Sequence, residues 1–216
     1  MTSTPDLIDS LVADAQPVRR LRPPAVRALG WLLFAALVLV LVAVGHGVRP
    51  DIMLKLRQPV FFAGVLAALT TGVLAAMASF IASVPGQSRR WLLLPAPALA
   101  VWISTIGYGG LTGWVSIGPE GISLGENARC FATLAITGIP LSLAMLIMLR
   151  YVARLSPAPV AMTGSLAVAA MTTAAVSLFH PIDATVLILF WNFGVTALLL
   201  VFSGLYGKRL FEWVAR

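Results

Sequence analysis

Charge is what this sequence has least of. Only 11% of its 216 residues are Asp, Glu, Lys or Arg, whereas soluble domains carry about 25%. Hydrophobic residues make up 59% of the chain, and the mean hydropathy is +0.95. That excludes a soluble globular protein and points to an integral membrane protein. Cysteine is nearly absent as well: the single Cys130 excludes an intramolecular disulfide framework and any Cys-rich metal site. Missing too are internal repeats, low-complexity tracts and polar segments long enough to make a soluble domain. No nucleophile–base–orienter set, phosphate-cradling glycine loop or paired catalytic carboxylates are present, so no enzymatic role and no cofactor are expected. The glycines from Gly107 to Gly113 come with no lysine and read as a loop.

The charges that exist mark the spans by their spacing. Uncharged runs lie between Arg27 and Arg49, Arg57 and Arg89, Arg90 and Glu120, Arg129 and Arg150, Arg154 and Asp183, and Asp183 and Lys208. Each of the six reaches the ~20 residues that a helix needs to cross the hydrocarbon core. Alternating ten-residue segments, the mark of a transmembrane β-barrel, are not seen. The expected fold is all-α: a polytopic membrane protein with a bundle of six transmembrane helices and a short amphipathic N-terminal cytoplasmic helix. The division is residues 1–27 as a cytoplasmic segment and 28–216 as the transmembrane domain.

With the N-terminus inside, Arg19, Arg20, Arg22, Arg27, Arg89, Arg90, Arg150, Arg154, Lys208, Arg209 and Arg216 are cytoplasmic. Only Arg49, Lys55, Arg57 and Arg129 are outside. This asymmetry obeys the positive-inside rule and puts both termini in the cytoplasm. The net charge of +7 is therefore topology and not a nucleic-acid footprint. The first apolar run exceeds the 7–15 residues of a signal-peptide core, and further spans follow, so an uncleaved first span is expected.

No Asp, Glu, Lys or Arg is placed near the middle of any run, which counts against a proton-coupled pump or transporter. Small residues recur every four positions instead: Gly64, Ala68, Gly72 and Ala76 in the second run, and Ala161, Ser165, Ala169, Thr173 and Ser177 in the fifth. Such stripes let helix backbones approach closely, either within one bundle, the simpler reading, or across a homodimer seam. Pro95, Pro97 and Pro140 are expected to kink or break their helices.

The N-terminus differs from all of this. Thr4–Pro5 is a helix start, a hydroxyl cap followed by proline at the first helical position, and Asp6 suits the positive end of the helix dipole. At about 100° per residue, Leu7, Ile8, Leu11, Val12 and Ala15 share one arc of a helix over 4–16, while Asp6, Asp9, Ser10 and Asp14 fall outside it. So short a helix is marginal alone in water and needs a surface to fold against. An acidic face does not suit the anionic inner leaflet. Two surfaces remain: the inner ends of its own bundle, or a basic-rimmed groove on a soluble partner.

The block Asp6-Leu-Ile-Asp-Ser-Leu-Val-Ala-Asp-Ala-Gln-Pro-Val-Arg-Arg-Leu-Arg-Pro-Pro24 resembles the opening of the NrsF family of bacterial six-span membrane anti-sigma factors. The resemblance continues through Gly47-Val-Arg-Pro-Asp51, Val84-Pro-Gly86 with Arg89 and Arg90, Leu94-Pro95 with Trp102, Cys130, and Pro181-Ile-Asp183 with Trp191. It implies that the N-terminal segment sequesters a cytoplasmic extracytoplasmic-function (ECF) sigma factor. The anchor would sit in the inner membrane and release its partner on an envelope or stress signal. Leu7, Ile8, Leu11 and Val12 would be the apolar anchors. Asp6, Asp9 and Asp14 would face basic surface on the partner, and Arg19, Arg20 and Arg22 would set the segment at the membrane. No direct contact with nucleic acid is implied. The chain departs from the family pattern in having His180 and Asn192 where relatives carry a second cysteine and a histidine, which excludes a disulfide switch within one chain.

Cys130, His180 and Asp183 map to the outer rim as candidate signal-sensing residues, with Glu126, Asn192 and His46 nearby. Thiolate, imidazole and carboxylates are a donor set for zinc, but no clustered ligand spacing supports a metal site. Packing for the thiol and an interfacial hydrogen bond for the imidazole are the plainer roles. Arg49 and Asp51 are positioned to pair across a turn. The alternative to the regulator is a small membrane permease or channel subunit with an inert N-terminal tail.

Overall fold

A computed structural model describes residues 4–13, 22–113, 124–149, 157–179 and 201. Every described element is helical: α1 (Thr4–Ala13), α2 (Pro24–His46), α3 (Ile52–Leu56), α4 (Pro59–Ala82), a 3-10 turn (Arg89–Leu93), α5 (Ala96–Gly113), α6 (Leu124–Leu149) and α7 (Pro157–Phe179). Five stretches are long and apolar enough to cross a membrane: Pro24–Gly45, Pro59–Ala82, Arg89–Tyr108, Ala132–Leu149 and Pro159–Phe179. They match the first five uncharged runs, and the chain is a multi-pass membrane protein. The sixth run, between Asp183 and Lys208, lies outside the described residues except for Val201, which is helical.

Proline and glycine set most of the boundaries. Pro24 stands at the first position of α2, where its missing N–H costs nothing. The helix ends at Gly47, whose φ of 75° suits a residue without Cβ and whose N–H donates to the Ala43 carbonyl at 3.0 Å. Pro59 opens α4 in the same way as Pro24 opens α2. The third span is interrupted at its start: the 3-10 turn Arg89–Leu93 gives way at Leu94–Pro95 to α5. Pro140, by contrast, sits inside α6 without ending it.

One expectation is corrected. Gly107 to Gly113 continues α5 and is not a loop. Without water to satisfy open backbone groups, an apolar segment keeps its helical bonds even through glycine.

The centre of the bundle is α4 against α7, and α7 is the most enclosed of the five spans. The small-residue stripes lie at these contacts. A Cβ added at Gly72 would come within 2.9 Å of Met171 Cε on α7, and one at Gly64 within 3.2 Å of Thr105 Oγ1 on α5. Ala68, Ala76, Ala169 and Thr173 are buried along the same stripes. Packing within the chain therefore occupies both stripes. Hydroxyls in the spans return to their own helices: Thr137 donates to the Thr133 carbonyl, Thr172 to Val168 and Thr173 to Ala169. Ser79 instead bridges two helices, from α4 to the Val160 carbonyl of α7 at 3.2 Å.

Candidate functional site

The N-terminal segment is helical from Thr4 to Ala13. Its turns carry Asp6 in the first turn, and exposed Ile8 and Val12 one turn apart, at 54% and 68%. Asp9 is exposed beside Ile8. Leu7 and Leu11 belong to the same helix, and their side chains lie outside the described residues, as do Asp14, Arg19 and Arg20. Arg22 is exposed immediately before Pro23 and the start of α2. The acidic helix is thus only a short tether away from the first span.

Where that tether meets the bundle, a cation is buried. Arg27, in the first turns of α2, is 9% exposed. Its guanidinium donates to the Met148 carbonyl near the end of α6 and lies over the Phe80 ring of α4, 5.2 Å from its centroid. A helix C-terminus offers carbonyls without intrahelical donors and the negative end of a dipole, so a cation is well placed there. One turn further along, the Trp31 indole N–H donates to the Leu141 carbonyl of α6 at 3.2 Å. Two side chains thereby tie α2 to α6.

The opposite end of α2 is clasped too. Arg49, 4% exposed, donates from Nε and from a terminal nitrogen to the two Asp51 carboxylate oxygens at 2.7 and 2.6 Å. Its guanidinium stands 5.9 Å from the centroid of the Phe61 ring of α4. Its backbone N–H reaches the Leu178 carbonyl at the end of α7, at 3.4 Å. The Arg49 hydrogen bonds hold the Asp51 carboxyl below the ordinary carboxylate range. The expected Arg49–Asp51 pair is therefore present, within a wider junction of α2, α4 and α7.

Of the rim residues, Cys130 falls in the second turn of α6, and its side chain lies outside the described residues. His180 and Asp183 lie outside them altogether, just past α7. Sequence reasoning counted Arg27 as a topology charge and missed its burial. The signal was in the spacing: Arg27 heads the stripe Trp31, Ala35, Val38, Val42, all buried against the bundle.

The family model for NrsF, described as negative regulator of sigma F, matches residues 11–213. The chain belongs to the NrsF family. No curated protein and no solved structure matches it. The match runs from Leu11 in α1 through the five described spans and the rim positions, so the resemblance read from the residues is the one the family match shows. An NrsF-family chain is a negative regulator, and its partner is a sigma factor. A regulatory family of this kind also points away from an enzyme.

Proposed function

We propose that this chain is a membrane-anchored anti-sigma factor that sequesters an ECF sigma factor through residues 1–27 and releases it on an envelope or stress signal. Residues 28–216 form the anchor, of six spans, in the bacterial inner membrane with both termini cytoplasmic. Leu7, Ile8, Leu11 and Val12 are the docking stripe of an amphipathic helix. Asp6, Asp9 and Asp14 meet basic surface on the sigma factor, and Arg19, Arg20 and Arg22 hold the tether at the inner leaflet. Cys130, His180 and Asp183 form the sensing rim.

The observation that carries this reading is α1 itself. A helix outside the five membrane-length stretches carries Ile8 and Val12 with more than half of each exposed. Burying such aliphatics yields about 1.5–3 kcal/mol each, enough over four of them to offset the ordering of a short helix. Charge complementarity favours a basic groove over an anionic leaflet.

Deleting residues 2–16 tests it. Transcription from promoters of the partner sigma factor is expected to rise, with the bundle still inserted at its normal level. Unchanged transcription from a chain that accumulates normally would leave the segment a tail, as in a permease.

A further inference from the structure

Arg27 is the single charged residue between Pro24 and Gly45. Its burial needs a reason beyond sidedness, because a long arginine side chain near a helix end ordinarily lays its stem along the helix and puts its charge at the interface. Here the charge turns inward and joins three helix ends at once: the start of α2, the last turn of α4 through Phe80, and the last turn of α6 through the Met148 carbonyl. Among the described residues its charge meets a carbonyl and a ring rather than a carboxylate. Such a contact stands only while the ends of α4 and α6 keep their places. If either end shifts, the inward rotamer loses its partners and the outward one, solvated at the headgroups, takes over. Arg27 thus holds its inward position only through the packing of the bundle. Arg22 and Pro23 run directly into the first turn of α2, four residues before Arg27, so Arg27 stands where the N-terminal segment joins the bundle.

We infer that Arg27 is a positioning residue that couples the state of the bundle to the sigma-binding segment. With α2, α4 and α6 stitched together, the segment is presented for capture. When α4 or α6 shifts, Arg27 lets go, the start of α2 is freed and capture weakens. This inference rests on the sigma-binding reading of residues 1–27 and adds the element through which a signal reaches them.

The test uses the full-length chain in cells with its sigma factor and a sigma-dependent reporter, together with immunoblots for chain level and membrane insertion. Arg27→Ala is expected to raise the reporter about tenfold, the order that loss of one hydrogen bond to a charged group gives, at unchanged chain level. Arg27→Lys keeps a cation able to reach the Met148 carbonyl and is expected to restore most of the repression. Trp31→Phe removes the Trp31–Leu141 hydrogen bond, one turn deeper between the same two helices, and is expected to stay near wild type. A reporter unmoved by Arg27→Ala at normal chain level overturns the inference. So does a Trp31→Phe response as large as that of Arg27→Ala, because generic loosening would then explain both. Should Arg27→Ala fail to accumulate, Phe80→Leu decides: a raised reporter supports the coupling, and a silent one overturns it. Leu11→Asp separates the two levels. If it frees the sigma factor while Arg27→Ala and Phe80→Leu do not, only the coupling fails; if it frees nothing, the sigma-binding reading fails with it.

Discussion

Arg49 and Asp51 show how a single pair ties local charge to the architecture. The guanidinium is buried against Phe61 while the carboxylate keeps contact with solvent, and the adjoining backbone reaches Leu178. Because hydrogen bonding to Arg49 depresses the Asp51 pKa, the pair contributes stability above the ordinary aspartate pKa of about 4, and that contribution fades as pH falls through the depressed value. Asp51→Asn is therefore expected to lower the melting temperature in detergent at pH 7, with the difference from wild type closing under strong acid. A constant difference down to pH 2 would show that the charge is irrelevant. Thr71 presents the opposite case. Its hydroxyl is buried with no partner among the described residues, so Thr71→Val removes a polar group that gains nothing from burial. The variant is expected to melt higher, with a gain of about 1 kcal/mol, and a lower melting point would mean that the hydroxyl has a partner.

At the scale of elements, most of the legible information was in charge gaps, prolines and small residues. The gaps gave the five described spans because no charge is tolerated at mid-bilayer without a purpose. Pro24, Pro59 and Pro95 marked where helices start or break because a missing N–H is harmless only at those places. Gly107 to Gly113 misled for the converse reason: glycine breaks helices where water competes, and α5 continues through these residues. The four-residue stripe on α4 was visible, but which neighbour it met was not, since periodicity names a face and not its partner. It meets α7 at Gly72 and α5 at Gly64. Gly72→Leu should accordingly cost about 1–3 kcal/mol by overpacking against Met171, read as a lower melting temperature or loss of folded protein in detergent. A neutral Gly72→Leu would mean that the stripe faces lipid. Of the candidate site, Ile8 and Val12 are exposed, as are Asp6 and Asp9 on the same helix. The burial of Arg27 escaped because a count of basic residues cannot say on which side of a helix one of them lies.

Across the whole molecule, α2 is held at both ends, by Arg27 at one and by the Arg49 junction at the other, with the Trp31–Leu141 bond between them. A rod fixed in this way can carry a change at one end of the bundle to the other. It does so in the proposed direction only if the loop with Arg89 and Arg90 faces the cytoplasm and the turn at Asp51 faces outward. Reporter fusions check that arrangement: a domain active only in the cytoplasm should work when joined after Gln87 and be silent when joined after Pro50. The reverse pattern would invert the topology and remove α1 from any cytoplasmic partner.

The most direct measurement is recovery of the sigma factor with the solubilised full-length chain, compared with a Leu11→Asp chain of equal abundance. Disrupting one anchor of the apolar stripe should cut recovery by at least about tenfold, since burying a carboxylate in its place costs more than the leucine supplied. Equal recovery with both chains would contradict the account, because the sigma factor would then be gripped elsewhere or not by this protein at all.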